Sequence, residues 1–218
     1  MMKFPIEDAA KLAEASYSSN RITSPRVMHS CDHQDVQAHV LEGNILLLPG
    51  SNSVKDYRRY NLRPLRLGKQ QYRMSDDKTA KGHSGTTWHQ GFLAYSVVVF
   101  EWLKTLNIRP KYVIGHSLGA AAAQILSKSY GAPGIGFAAP RPKFVKGPVK
   151  HHEKCLLINR IDDVVPKLPG AFSHMGRVKE LKAQKRRLFL AHSMKYYREI
   201  VELGQDAKVL PKHWAGGA

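Results

Sequence analysis

The stretch YVIGHSLGAAAAQIL, residues 112–126, sets Ser117 between two glycines, Gly115 and Gly119. A serine hydroxyl is a poor nucleophile until a neighbouring imidazole accepts its proton, and that imidazole needs a carboxylate to fix its tautomer and orientation. The chain offers 11 histidines as bases. Its acids after Ser117 include the pair Asp162-Asp163, directly behind the apolar run CLLINRI. Glu180, Glu199, Glu202 and Asp206 stand in basic or helical segments and read as surface charge. A serine, an imidazole and a carboxylate brought together would perform acyl transfer through a covalent intermediate on the serine oxygen.

The elements needed to hold these groups are legible around them. Tyr112, Val113 and Ile114 are aromatic or β-branched, as a buried strand prefers. From Leu118 the chain turns to Ala120–Ala123, Ile125 and Leu126, which favour a helix. Strand, glycine-flanked serine and helix together resemble the G-x-S-x-G nucleophile elbow of α/β-hydrolases, whose triad partners follow in the order Ser, then acid, then His. With the acid at 162 or 163, that order leaves His174, His192 and His213 as bases. An opening helix is expected over Ala9–Tyr17, and a hairpin over Val36–Leu41 and Ile45–Leu48. A helix is expected over most of Trp88–Leu106, with Phe92, Tyr95, Val99, Trp102 and Leu106 near helical spacing. Further buried strands are expected at Lys111–Gly115, Gly134–Ala138 and Cys155–Asn159, and a last helix at Ala191–Glu202. Strands alternating with helices predict a mostly parallel central sheet flanked by helices, with its chemistry at the carboxyl ends of the strands.

The 218 residues fit one domain, 1–218, with a loosely held tail over 203–218. No apolar run reaches the ~18 residues of a membrane span. Glu7 and Asp8 interrupt the N-terminal segment where a signal peptide needs an apolar core, so a cytoplasmic location is expected, with secretion the alternative left open. Cys31 and Cys155 make neither a disulfide framework nor a metal-binding spacing. The unusual quantity is the charge: 34 Lys and Arg against 17 Asp and Glu give a formal net +17. Residues 55–73 hold seven basic residues and one acidic, and residues 141–198 hold fifteen and four. Such a surface attracts polyanions, whether anionic lipid or nucleic acid, or simply keeps the chain soluble.

A wider resemblance accompanies the elbow. The blocks LLLPGSNSVKDYRRYNL, WHQGFLAYS, YVIGHSLGAAAA, GFAAPRPKF, NRIDDVVPKLP, FSHMGRVKEL and AHSMKYYREI occur in the order found in class 3 lipases, the fungal-type triacylglycerol lipases and their relatives. The resemblance spans roughly residues 9–202. It implies an α/β-hydrolase fold, a Ser-Asp-His triad and hydrolysis of carboxylic esters, with no metal or organic cofactor. The family's D-x-V-P pattern selects Asp163 over Asp162, and a histidine before an aromatic-bearing last helix selects His192. The oxyanion donors implied are the N–H of Leu118 and, from Gly50-Ser51, the N–H and hydroxyl of Ser51. His89 (in H-x-G-F), His116 and His174 take supporting positions. The segment after the oxyanion loop corresponds to the family's lid. Here it carries Val54, Tyr57, Tyr60 and Leu62 among Lys55, Asp56, Arg58 and Arg59, so it is more basic than a lid facing neutral oil. Pro49 stands where the family more often has Ala or Arg, and the polar segment 63–88 has no assignment.

The expected activity is therefore that of an esterase, lipase or phospholipase on lipid or small carboxylic esters, with an anionic membrane surface as a partner. The rival expectation is a catalytically silent hydrolase-fold protein that binds polyanions. Nucleic acid is disfavoured, because the basic stretches lack an RNP-like, zinc-finger or helix-turn-helix pattern. Oligomeric state is not legible.

Overall fold

The computed structural model describes residues 3–18, 21–50, 65–73, 77–144, 146–186 and 190–217. Its centre is a seven-stranded sheet: β1 (Val27–His33), β2 (Val36–Leu41), β3 (Ile45–Leu48), β4 (Tyr112–His116), β5 (Gly134–Phe137), β6 (Cys155–Arg160) and β7 (Arg177–Leu181). The strands lie side by side in chain order. β1, β2 and β3 pair antiparallel as a meander, and β3 through β7 pair parallel. Every residue of β3, β4, β5 and β6 is buried, as expected of strands covered on both faces.

Among the described residues, four helices provide that cover. α1 (Ile6–Ala15) buries Ile6, Ala9, Ala10 and Ala13, a spacing that lines one helical face, and sets Glu7 and Asp8 at its N-terminal dipole end. It shares one face of the sheet with α4 (Met194–Asp206), which buries Met194, Tyr197, Ile200 and Val201. On the opposite face lie α2 (Gln90–Thr105) and α3 (Leu118–Tyr130). Neighbouring residues of a strand serve opposite cores. Tyr112 and Ile114 face the α1–α4 side, whereas Val113 faces α2 and α3. α3 is buried from Leu118 to Lys128, and its alanines let it lie close against the strands. The result is the mostly parallel central sheet flanked by helices that the alternation of strands and helices predicted.

Several elements differ from expectation. The two edge strands, β1 and β7, were not anticipated because VMHSCDH and RVKEL expose most of their side chains, so no apolar alternation marks them. Nor is the region 203–217 a loose tail. α4 runs to Asp206, His213 and Trp214 pair antiparallel with Pro5 and Phe4, and Trp214 is anchored through its ring N–H to the Lys154 carbonyl. Its own carbonyl accepts from the Tyr112 hydroxyl. Among the described residues, no helix is long and apolar enough to cross a membrane.

Candidate active site

β4 ends at His116, and Ser117 makes the turn into α3 with φ 53° and ψ −122°. A positive φ is unusual for a serine and stores backbone strain, which the surroundings must enforce. They do so through the two glycines. A Cβ on Gly115 would stand 2.4 Å from the Gly119 carbonyl oxygen, and one on Gly119 would stand 2.1 Å from that of Leu48. Both positions therefore need glycine to let α3 start directly over the ends of β3 and β4. Ser117 is held by its N–H donating to the Phe137 carbonyl, at 3.0 Å. The positive dipole end of α3 lies under its side chain.

The sheet brings its partners to the same edge. Asp163 follows β6, and His192 lies just before α4. His192 Nε2 is 2.8 Å from Ser117 Oγ, and His192 Nδ1 is 2.8 Å from Asp163 Oδ2. The carboxylate side of this chain fixes the tautomer: Nδ1–H donates to Asp163, which leaves Nε2 to accept from the serine hydroxyl. Asp163 is 2% exposed and its remaining capacity is used. Oδ1 accepts the Val165 N–H at 3.0 Å, and Oδ2 also accepts the Tyr197 hydroxyl at 2.9 Å. Burial by itself would raise the Asp163 carboxyl, but the charge that His192 can carry and these hydrogen bonds outweigh it and hold the carboxyl below its ordinary value.

Asp162 has a different task. It takes a bidentate pair from Arg160, whose Nε and Nη2 donate to Oδ1 and Oδ2 at 3.0 and 2.9 Å. The Arg160 side chain is fully buried, and Nη1 donates to the Tyr196 carbonyl. The adjacent acids are thus divided between an ion pair and the imidazole. Sequence spacing alone left that division open; the D-x-V-P resemblance chose Asp163.

The expected supporting histidines separate as well. His116 is buried directly beneath the histidine–serine pair. Its Nε2–H donates to the His192 carbonyl at 3.0 Å, and its ring centroid is 4.9 Å from that of His192. His174 ties two loops at the site's flank, donating through Nε2–H to the Ala139 carbonyl at 2.9 Å. His89 is a helix cap: its Nδ1 accepts the Phe92 N–H, and its ring packs on Phe92 and Phe172. His213 sits in the strand at the far terminus, paired with Pro5.

Leu118 is the first residue of α3, so its N–H has no intrahelical acceptor and is the donor expected from the elbow. Gly50 is packed against the elbow, where a Cβ on it would stand 3.0 Å from Ser117 Cβ. The lid-like residues Val54, Tyr57, Arg58, Arg59, Tyr60 and Leu62, together with Ser51, lie outside the described residues. No group of three His, Cys, Asp or Glu among the described residues could hold a metal ion. Sequence reasoning missed Tyr17, Arg160 and Tyr197. Tyr197 had one available signal, its place in the aromatic pair of AHSMKYY, but nothing local marked which ring would turn inward.

No family profile and no curated protein matches the chain. Solved structures give distant likenesses. A fungal lipase–inhibitor complex, described as a model for interfacial activation in lipases, is 16% identical, with 81% of each chain covered and a TM-score of 0.49. The nonglycosylated LIP2 lipase of Yarrowia lipolytica is 14% identical over 87% of this chain and 86% of that one, with a TM-score of 0.49. A triacylglycerol lipase from Penicillium expansum is 14% identical over 80% and 77%, with a TM-score of 0.40. Nothing about substrate passes to this chain from likenesses so remote. What Ser117, His192 and Asp163 can do chemically follows from their own contacts.

Proposed function

We propose that the protein is a serine hydrolase that cleaves carboxylic esters through an acyl-enzyme. The observation that carries this is the continuous Ser117–His192–Asp163 hydrogen-bond chain at a strained strand-to-helix turn. Ser117 Oγ attacks the ester carbonyl carbon as its proton passes to His192 Nε2. Asp163 holds the imidazole in place and stabilises the imidazolium that forms. The carbonyl electrons move onto oxygen, where the Leu118 N–H and donors at Ser51 stabilise the oxyanion. Collapse expels the alcohol, which takes the proton from His192. Water, activated by the same imidazole, then releases the acid and restores Ser117. The scheme needs no cofactor.

Lipid-like esters are the substrates this reading favours. Ile161, Val164 and Leu190 are 49, 45 and 43% exposed, and all three stand within two residues of Asp163 or His192. Large apolar groups beside a polar triad suit an acyl chain or a lipid surface better than a sugar or a peptide. Exposed Lys167, Lys182 and Lys195 occupy the same loops and α4. An anionic lipid surface is the partner that satisfies both apolar and basic groups. A silent polyanion-binding role has the charge in its favour but gives no use to the strained serine and its paired imidazole.

The direct test is labelling with a fluorophosphonate probe, followed by peptide mapping. Covalent modification at Ser117, lost in Ser117→Ala, supports the reading. An unlabelled protein that still binds polyanions would favour the silent scaffold.

A further inference from the structure

A second hydrogen-bond chain passes behind the serine, and the chemistry of its atoms fixes its direction. His116 Nε2 faces the main-chain carbonyl of His192 at 3.0 Å. A carbonyl only accepts, so Nε2 carries the proton and Nδ1 is left as an acceptor. The group at Nδ1 is the Tyr17 hydroxyl, which must therefore donate to it. The Tyr17 oxygen in turn accepts the Gly50 N–H at 3.2 Å. The sequence Gly50 N–H, Tyr17 O–H, His116 and His192 C=O is thus unidirectional. It begins at the residue directly before Ser51 and ends on the main chain of the histidine that faces Ser117.

Each link comes from a different part of the fold. Tyr17 lies in the turn after α1, Gly50 follows β3, His116 ends β4, and His192 precedes α4. No local segment could hold these four in register. Steric contacts reinforce the bonding: a Cβ on Gly50 would lie 2.6 Å from the Tyr17 hydroxyl. The Tyr17 and His116 rings meet edge to face at 5.7 Å.

We infer that Tyr17 and His116 are positioning residues that lock the oxyanion loop and the His192 main chain into one geometry around Ser117. The inference rests on the hydrolase reading above. Catalysis by transition-state stabilisation requires donors to be fixed before charge develops, and misplacement of about 1 Å can cost roughly a hundredfold in rate. The relay supplies that fixation without touching substrate. His116 suits the task because it remains a neutral donor–acceptor: burial first, and then the charge His192 can carry, push it down to about 3. It does not compete for the proton that His192 takes from the serine.

The test compares wild-type protein with Tyr17→Phe, a change that removes one oxygen and keeps the ring. Expected is a loss of roughly ten- to a hundredfold in kcat on a p-nitrophenyl ester, with KM within about threefold. Affinity for an alkyl boronic acid, which forms a tetrahedral adduct on serine, should fall by a similar factor in calorimetry. His116→Gln, which can donate on one side and accept on the other, should retain more activity than His116→Leu. Tyr17→Phe combined with His116→Leu should cost little more than His116→Leu alone, because the residues serve one chain. A Tyr17→Phe enzyme with kcat and boronate affinity within about twofold of wild type would overturn the relay. So would a loss confined to KM, which would make Tyr17 a substrate contact. Wild-type protein that neither turns over esters nor binds the boronate would instead remove the hydrolase reading on which the relay depends.

Discussion

The Tyr197 hydroxyl donates to Asp163 Oδ2 at 2.9 Å, on the same oxygen that receives His192 Nδ1–H at 2.8 Å. That hydroxyl also accepts the Arg160 N–H at 3.1 Å, which fixes it from behind. The carboxylate is thereby held by the end of β6 and by α4 together. Tyr197→Phe removes one of the bonds that keep the Asp163 charge in place and leaves the Arg160 N–H unpaired. A loss of about 1–3 kcal/mol in stability is expected from the orphaned group. A fall of roughly tenfold in kcat should accompany it, since the base is oriented less firmly. Urea unfolding and ester turnover on the same preparation measure both. Unchanged kcat would show that the Val165 N–H and His192 suffice to hold the acid.

The neighbouring aspartates should fail differently. Asp163→Asn replaces the acceptor that sets the His192 tautomer, and a loss approaching 10⁴-fold in kcat is expected from the same change in other triads. Asp162→Asn leaves the triad contacts intact and should be mild on activity. Its cost appears in stability, because the fully buried Arg160 guanidinium loses its charged partner, a type of change that costs about 3–5 kcal/mol. Reversal of this pattern in paired kinetic and denaturation measurements would reassign the acid.

Acid should destabilise the fold, beginning at mild pH. His116 is pushed down to about 3, and burial also lowers His39, His152 and His174. In the unfolded chain these imidazoles take up protons below about 6.5, while the folded chain excludes them. The unfolded state then binds more protons, so stability falls as pH drops from about 6.5 towards the folded values. Asp163 acts in the same sense at lower pH. Its carboxyl is held below the ordinary value, so its contribution is present above the usual carboxylate range and is lost as pH falls through it. Denaturation midpoints at pH 7.5, 6 and 5 should decline in that order, less steeply in His116→Gln. Midpoints that rise on acidification would contradict the assignment of neutral buried imidazoles.

Much of this site was legible because its chemistry is written in short segments. Gly115, Ser117 and Gly119 needed only one strand-to-helix turn to be recognised, and the chain order then limited the bases to three. The rest depends on distance along the chain. Tyr17 reaches His116 across 99 positions, and neither residue has a neighbour that announces the other. The edge strands VMHSCDH and RVKEL expose most of their side chains, so the alternation that marks a half-buried strand is missing. The terminal strand is only two residues long and is defined by its partner, Phe4–Pro5. By spacing alone Asp162 and Asp163 are interchangeable; the D-x-V-P resemblance chooses Asp163, and Arg160, two residues before Asp162, claims the other.

The basic surface should govern which lipid the protein meets rather than the chemical step. Positive charge beside the site concentrates anionic lipid, and salt screens that attraction over about 8–10 Å at moderate ionic strength. Turnover should be greater on vesicles containing anionic lipid than on neutral vesicles, with the advantage shrinking as salt rises. Hydrolysis of a small neutral ester should barely respond to the same salt. Replacing Arg58 and Arg59 by Gln should erode the vesicle preference while sparing the small ester. Equal rates on both vesicle types at low salt would leave a soluble-ester hydrolase with a basic coat.

The most direct measurement of the central claim is pre-steady-state mixing with p-nitrophenyl butyrate, followed by acid quench and mass analysis of the peptide containing Ser117. The expected result is a burst of p-nitrophenol no larger than one equivalent per protein, with a butyryl group on Ser117. Ser117→Ala should show no burst and a steady rate lower by up to about a millionfold, as in other triad knockouts. Hydrolysis in Ser117→Ala at the wild-type rate, or an acyl group found on a different residue, would contradict it.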